Sequence, residues 1–237
     1  MIKNNIRGIA FDLEGPVINV EKIHHKAHYL AAKKVGVKLN FETALKKIPH
    51  FIGGPDNAVA EEIFLLSDKT RSPEYIENLK STLYQQLIKD TKIKPRPGFI
   101  KFLKRARKIG LQTAIGSSTP RDRARFLLKN SGIDKLFSKE LILLKEDVRR
   151  EKPFPDIYQE TARRMGIRPT NQIVFDDSPR GIAAGVKARS FSIGLITFNR
   201  TEIKKSLKEQ GALLVFTDWN KVNITTLLKK LSKNETA

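Results

Sequence analysis

Residues 8–17 read GIAFDLEGPV, and this stretch decides the fold. Residues 9–11 form a short apolar run, which is typical of a buried strand. Two carboxylates, Asp12 and Glu14, follow the run with one residue between them, and Gly15-Pro16 then ends the strand. Such a strand places negative charge at the carboxyl edge of a sheet, where open α/β sheets bind their ligands. Paired carboxylates there predict a divalent-cation site, or a division of labour between a nucleophile and an acid.

Three later stretches carry related patterns. Residues 113–119 read TAIGSST, a strand-like run that ends in hydroxyls, residues 151–157 read EKPFPDI, and residues 173–179 read IVFDDSP, a strand that ends in acids. In this order and spacing, the four stretches resemble the four motifs of the haloacid dehalogenase superfamily. The resemblance covers most of the chain. It implies a Mg2+-dependent phosphatase that hydrolyses a small phosphorylated metabolite through an aspartyl-phosphate.

Strand and helix patterns alternate along most of the chain. Helical patterns separate the apolar runs, which predicts a parallel, doubly wound, Rossmann-like α/β sheet. The runs that predict strands lie at residues 9–11, 111–115, 141–144, 173–175, 191–195 and 213–216.

The segment between the first two strands is mostly helical in pattern. Ser72-Pro73 marks a helix start, with Ser as the N-cap and Pro in the first turn. We therefore predict a Rossmann-like core of residues 1–18 and 92–237, with an inserted all-α domain of residues 19–91. In the family that the motifs resemble, a helical cap is inserted at this point and covers the active site.

The resemblance also assigns a role to each motif residue. Asp12 is the expected nucleophile, and Glu14, where the family usually has Asp, is the expected acid and base. Asp177 is the expected direct Mg2+ ligand, with Asp176 beside it in support. The expected catalytic residues are Asp12, Glu14, Ser117 and Lys152; the expected substrate-binding residues are Gly15, Ser117, Ser118 and Lys152; and the expected metal ligands are Asp12, Glu14, Asp176 and Asp177.

Two positions depart from the family pattern. Glu14 is one methylene longer than Asp, yet it keeps the carboxyl group that an acid needs. Pro16 stands where Thr is common and removes one N–H from the turn, while Gly15 still allows the backbone to approach a phosphate closely. Among the hydroxyls of the second motif, Thr119 is expected to cap the helix that begins at Pro120, which leaves Ser117 for the phosphate.

Composition limits the remaining choices. The chain has 237 residues, enough for one α/β domain with a modest insertion. It contains no Cys, which excludes disulfides, thiolate metal sites and a Cys nucleophile. The first five residues lead directly into the first strand, and no apolar stretch approaches the length of a membrane span. We therefore expect a soluble, cytoplasmic monomer or small homo-oligomer without a signal peptide.

The formal net charge of +20 is unusual and attracts anions. The lysines are dispersed and no recognition motif accompanies them, so we expect at most weak, non-specific binding of nucleic acid. Two alternatives stay open: a phosphomutase of the same superfamily, and a basic nucleic-acid-binding protein on a degenerate hydrolase scaffold. His24 and His28 have the spacing of zinc ligands on a helix, but the sequence shows no third ligand for them.

Overall fold

The computed structural model describes residues 5–233. The described chain forms two compact units, one of residues 5–19 and 94–233 and the other of residues 20–93. The sequence placed the insertion at 19–91, and the two ends of its predicted core, residues 1–4 and 234–237, lie outside the described residues. We call the two units the core unit and the helical unit.

One parallel sheet forms the centre of the core unit. Its strands are β1 Gly8–Phe11, β2 Gln112–Gly116, β3 Ile142–Leu143, β4 Gln172–Asp176, β5 Phe191–Leu195 and β6 Leu214–Phe216. Their spatial order is β3-β2-β1-β4-β5-β6, and every neighbouring pair is parallel. The predicted doubly wound α/β fold is confirmed.

Helices of the core unit follow the strands in the alternation that the sequence predicted. Each buries an apolar stripe; Phe99, Phe102 and Leu103 do so at the start of the first of them. Aromatic rings pack in the core beside the sheet. The Phe11 ring stacks on the Phe175 ring with 5.9 Å between their centroids, and the Phe102 and Trp219 ring centroids lie 4.5 Å apart. With the helices of the other unit numbered first, the core helices are α5 Phe99–Lys108, α6 Arg121–Ser131, α7 Asp156–Arg164, α8 Pro179–Lys187, α9 Thr201–Glu209 and α10 Ile224–Lys233.

The helical unit contains α1 Glu21–Lys34, α2 Phe41–Lys47, α3 Asp56–Leu66 and α4 Pro73–Lys89. Ser72 caps α4 as predicted, because its hydroxyl accepts a hydrogen bond from the Tyr75 N–H. Helix α2 was not predicted from the sequence. Its signal is a reciprocal capping box between Asn40 and Thr43, which stabilises even a seven-residue helix.

The strand order positions the candidate site. The chain winds from β1 toward β3 on one side of the sheet and then from β4 toward β6 on the other, so β1 and β4 are adjacent at the switch point. Doubly wound sheets open a crevice at the carboxyl ends of the strands there. Asp12 follows β1 and Asp177 follows β4 at this crevice. In the part of the chain that the structure describes, no helix combines the length and apolarity needed to cross a bilayer.

Candidate active site

Lys152 lies between two carboxylates at the switch point. Its Nζ donates to Asp12 Oδ1 at 2.5 Å and to Asp176 Oδ2 at 2.8 Å. The Lys152 side chain is only 6% exposed, although a lysine in so basic a chain usually faces solvent. The fold therefore brings together residues of the first, third and fourth motifs, which are far apart in sequence.

Electrostatics at this cluster favour a further positive charge. Burial opposes the charge on Lys152, but Asp12 and Asp176 outweigh it and raise the pKa of Lys152 to about 12. Burial also raises the pKa of Asp12 to about 7; Lys152 offsets part of this effect, while the charges of Asp176 and Glu14 add to it. Asp12 thus lies close to one ammonium group and feels the charge of two further carboxylates.

Asp176 is held by protein donors on both of its oxygens. Oδ1 accepts from the backbone N–H of Ser178 at 2.9 Å and from its hydroxyl at 2.8 Å. Oδ2 accepts from the Tyr158 hydroxyl at 2.5 Å as well as from Lys152. A Cβ at Gly181 would come within 1.8 Å of Oδ2, so α8 must carry a glycine there. These contacts turn Asp176 toward Lys152.

Asp177 lies against the turn that follows the first motif. A Cβ at Gly15 would come within 1.9 Å of Asp177 Oδ2, and Gly15 has a φ of 105°, which L side chains rarely adopt. Gly15 therefore serves two purposes: it allows the sharp turn, and it leaves room for the Asp177 carboxylate against that turn.

Glu14 points toward the second motif. Its Oε1 accepts from the Thr119 hydroxyl at 2.6 Å and lies 3.3 Å from Arg123 Nε. The Thr119 hydroxyl also bonds to the Ser117 hydroxyl at 2.9 Å. Ser117 is buried, and Ser118 beside it is half-buried.

Our assignment of Thr119 as a helix cap is wrong. The N-cap of α6 is Pro120, and no side chain makes a capping hydrogen bond there. The reason is tertiary: the Thr119 hydroxyl is already committed to Glu14, which follows a neighbouring strand. Ser178, in contrast, does cap α8, through a bond from the Gly181 N–H.

Arg96 supports the site although no role there was predicted for it from the sequence. Its buried guanidinium donates to four backbone carbonyls from three separate chain segments. One of these belongs to Gly15, so Arg96 supports the turn next to the site. The acceptors are Gly15 O at 3.1 Å, Leu195 O at 2.9 Å, Ile196 O at 2.5 Å and Thr217 O at 2.9 Å.

Tyr158 and Arg123 are two further neighbours of the site that were not predicted from the sequence. Tyr158 lies on α7 two residues after the third motif's Asp, and its ring lies 4.9 Å from Lys152 Nζ. Arg123 is the third residue of α6. Neither residue type signals such a role locally, because an aromatic on a helix is usually core and an arginine is usually solvated.

The residues of this edge fit a magnesium ion. Within residues 5–233, no three acidic or histidine side chains form a ready-made metal cage. Mg2+ does not need one, since it binds through one or two carboxylates and keeps water or phosphate as its other ligands. Hard oxygen donors from Asp12 and Asp177, in a cluster with an excess of negative charge, meet that preference.

Histidines of the helical unit do not form a zinc site among the described residues. Lys80 Nζ is hydrogen-bonded to Asp56 Oδ1 at 2.6 Å and to His24 Nδ1 at 3.0 Å. His28 Nε2 lies 3.4 Å from the same Asp56 oxygen. The spacing of His24 and His28 is therefore explained by their contacts with the ion pair between buried Lys80 and half-buried Asp56.

Comparison with known proteins finds a matching family and curated relatives. A family model described as haloacid dehalogenase-like hydrolase matches residues 9–195. The chain is 25% identical over 179 residues to a fructose-1-phosphate phosphatase of Escherichia coli, covering 75% of this chain and 89% of the relative. It is also 25% identical over 242 residues to a β-phosphoglucomutase of Mycobacterium bovis, covering 92% and 91% of the two chains.

A solved structure shows the same fold. A HAD family hydrolase from Deinococcus radiodurans, with bound phosphate and sodium, superposes with a TM-score of 0.77 at 23% identity, over 97% of this chain and 98% of the other. With the family model matching most of its length, the chain belongs to the haloacid dehalogenase-like hydrolases.

Proposed function

We propose that this protein is a Mg2+-dependent phosphatase that hydrolyses a small phosphorylated metabolite through an aspartyl-phosphate. The observation that carries this proposal is Lys152, which is buried and hydrogen-bonded to both Asp12 and Asp176 at the carboxyl edge of the sheet. A carboxylate at that edge can attack phosphorus if the charge of the phosphoryl oxygens is neutralised.

In the first half of the reaction, Asp12 forms a bond to phosphorus while the bond from phosphorus to the substrate oxygen breaks. Glu14 donates a proton to the leaving oxygen. In the second half, Glu14 takes a proton from water, the water oxygen bonds to phosphorus, and the Asp12–phosphorus bond breaks. The Lys152 ammonium and the Ser117 hydroxyl hold phosphoryl oxygens, whereas the Gly15 N–H already donates to the Ile18 carbonyl at 2.8 Å.

Asp12, Asp177 and the backbone carbonyl of Glu14 would hold the magnesium ion. Bound there, the ion supplies charge neutralisation for the phosphoryl oxygens. Asp176 was expected from the sequence to be a metal ligand. In this proposal it does not bind the metal, because its oxygens already accept four hydrogen bonds from Lys152, Tyr158 and Ser178. It keeps Lys152 charged and oriented.

The helical unit is proposed to act as the cap, which selects the substrate in this family. The names of two relatives, a fructose-1-phosphate phosphatase and a β-phosphoglucomutase, favour a sugar phosphate as that substrate. The mutase relative also supports a second candidate, a phosphomutase that keeps the phosphoryl group on Asp12 for longer. Weak, non-specific nucleic-acid binding stays a prediction.

The experiment measures hydrolysis of para-nitrophenyl phosphate and of a panel of sugar phosphates, with Mg2+ and with excess chelator. We expect turnover only with the divalent ion, and no turnover in Asp12→Asn, because an amide does not form the phosphoenzyme. Asp134→Asn, at an exposed position, is the matched control. Undiminished activity in chelator, or near wild-type turnover by a folded Asp12→Asn, contradicts the proposal. Interconversion of sugar phosphates with little release of phosphate identifies the mutase.

A further inference from the structure

Thr119 occupies a bridging position between two groups of the proposed reaction. Its hydroxyl bonds to Glu14 Oε1 at 2.6 Å and to Ser117 Oγ at 2.9 Å. The residue is buried, with 4% of its surface exposed, and no helix-capping bond explains its hydroxyl. Buried hydroxyls are nearly always hydrogen-bonded, and the partners of the Thr119 hydroxyl are Glu14 and Ser117.

Counting hydrogens gives the direction of each bond. A threonine hydroxyl has one hydrogen and can accept two further bonds. When Glu14 is a carboxylate, it can only accept, so the Thr119 hydrogen points to Glu14. The hydrogen of the other bond must then come from Ser117.

We propose that Thr119 and Arg123 are positioning residues that hold the carboxyl group of Glu14 in place for proton transfer to the leaving oxygen. The role applies only if Glu14 is the acid of the proposed phosphatase reaction. Glu14 is longer than the usual Asp and has one more rotatable bond, so a free side chain would spread over more positions. Thr119 fixes one oxygen by a short hydrogen bond.

Arg123 supplies the second restraint. Its Nε lies 3.3 Å from the same Oε1 that Thr119 contacts, and both side chains are largely shielded, with 27% of Arg123 and 14% of Glu14 exposed. A charge contact between partly buried groups is stronger than one in open solvent. Arg123 is on the first turn of α6, so its contact ties Glu14 to a helix of the core unit.

Ser117 makes the role of Thr119 distinguishable from simple packing. If Ser117 donates its hydrogen to Thr119 in the resting enzyme, a phosphoryl oxygen at Ser117 must compete for that hydrogen. Replacing Thr119 by valine keeps the shape of the side chain but removes the competing acceptor. Proton transfer by Glu14 should therefore suffer, while phosphate binding at Ser117 should be preserved or improved.

The test uses the full chain and a series of phenyl phosphates with different para substituents, and measures kcat and KM for each, with inhibition by inorganic phosphate. For Thr119→Val we expect kcat to fall by about tenfold or more on phenyl phosphate, and much less on para-nitrophenyl phosphate, whose leaving group needs little protonation. The inhibition constant of phosphate should stay the same or decrease. Thr119→Ser, which restores the hydroxyl, should recover most of the loss.

Arg123→Gln should show the same dependence on the leaving group in weaker form, and Arg125→Gln, exposed on the same helix, should behave like the wild type. An equal loss on all phenyl phosphates, or a Thr119→Ser as impaired as Thr119→Val, overturns the inference. If Thr119→Val does not fold, Thr119→Ala, which also lacks the hydroxyl, takes its place in the same comparison. Failure of the proposed function looks different, because then the wild type itself does not hydrolyse these esters in the presence of Mg2+.

Discussion

A methyl group on Gly15 would place its carbon 1.9 Å from Oδ2 of Asp177. No carbon and oxygen atoms approach so closely without a bond, so any side chain at position 15 must displace the Asp177 carboxylate or the turn itself. The close approach ties the turn after the first motif to the acid that ends the fourth.

Gly15→Ala should therefore lower activity and raise the Mg2+ concentration needed for half-maximal rate. Because Gly15 has a positive φ, the alanine should also lower the free energy of unfolding by about 1–2 kcal/mol. Gly132→Ala is the matched control, because Gly132 has a φ of 72° and a Cβ there would meet no atom of the described residues within 4 Å. The measurement is a Mg2+ titration of the hydrolysis rate for both variants. If both variants need a similar Mg2+ concentration for half-maximal rate, then Gly15 does not affect Mg2+ binding.

Arg96 should be among the residues on which stability depends most. Arg96→Met removes a guanidinium that bonds to four carbonyls and leaves those carbonyls in a buried place. We expect the free energy of unfolding to fall by about 3 kcal/mol or more. Denaturant unfolding measures this, with Arg105→Met, exposed on α5, as the control. A loss no larger than that of the control contradicts a structural role for Arg96.

Tyr158→Phe should lower turnover while keeping the fold. The variant keeps the ring beside Lys152 but removes the hydroxyl that donates to Asp176 Oδ2. Without that hydroxyl, Asp176 Oδ2 interacts more strongly with Lys152, and the hydrogen bond from Lys152 to Asp12 weakens. We therefore expect kcat to fall by up to about tenfold. The free energy of unfolding should fall by about 1 kcal/mol. Steady-state kinetics and denaturant unfolding test both effects, with the exposed Tyr75→Phe as the control. An unchanged kcat argues against this coupling.

Two buried histidines of the helical unit should lower the free energy of unfolding as the pH falls from 8 to 5, while Asp12, whose pKa is raised to about 7, opposes them by less than the two histidines together. Burial lowers the pKa of His25 to about 3 and the pKa of His28 to about 4, from an ordinary value of 6.5. Below pH 6.5 the unfolded chain binds protons that the folded histidines do not, so the unfolded state is favoured. We expect a loss of about 2 kcal/mol per histidine at pH 5.

Denaturant unfolding at pH 8 and pH 5 measures this difference. His25→Gln should make the loss of stability between the two pH values smaller by about 2 kcal/mol, whatever it costs at pH 8, where neither state of the histidine is charged. A variant with the same drop as the wild type would show that His25 takes up its proton equally in both states.

Local patterns in the sequence were enough to predict the sheet. Each strand contains a short apolar run bounded by turn or helix signals, so β5 was predicted at residues 191–195 and is found there. Alternation with helices predicts parallel strands, and parallel strands bring their carboxyl ends to one edge. For this reason, Asp12, Ser117 and Asp176 could be assigned to one edge of the sheet from the sequence alone.

The partners of those residues were decided only by the tertiary structure. Whether Asp176 turns to Lys152, Thr119 to Glu14 or Arg96 to Gly15 depends on how strands and helices from distant parts of the chain are packed. Thr119 and Glu14 are 105 residues apart, and Arg96 and Gly15 are 81 apart. A hydrogen bond forms only within a narrow range of distance and angle. Residue type and local spacing determine which groups reach the edge of the sheet, and three-dimensional packing determines which of them come within that range.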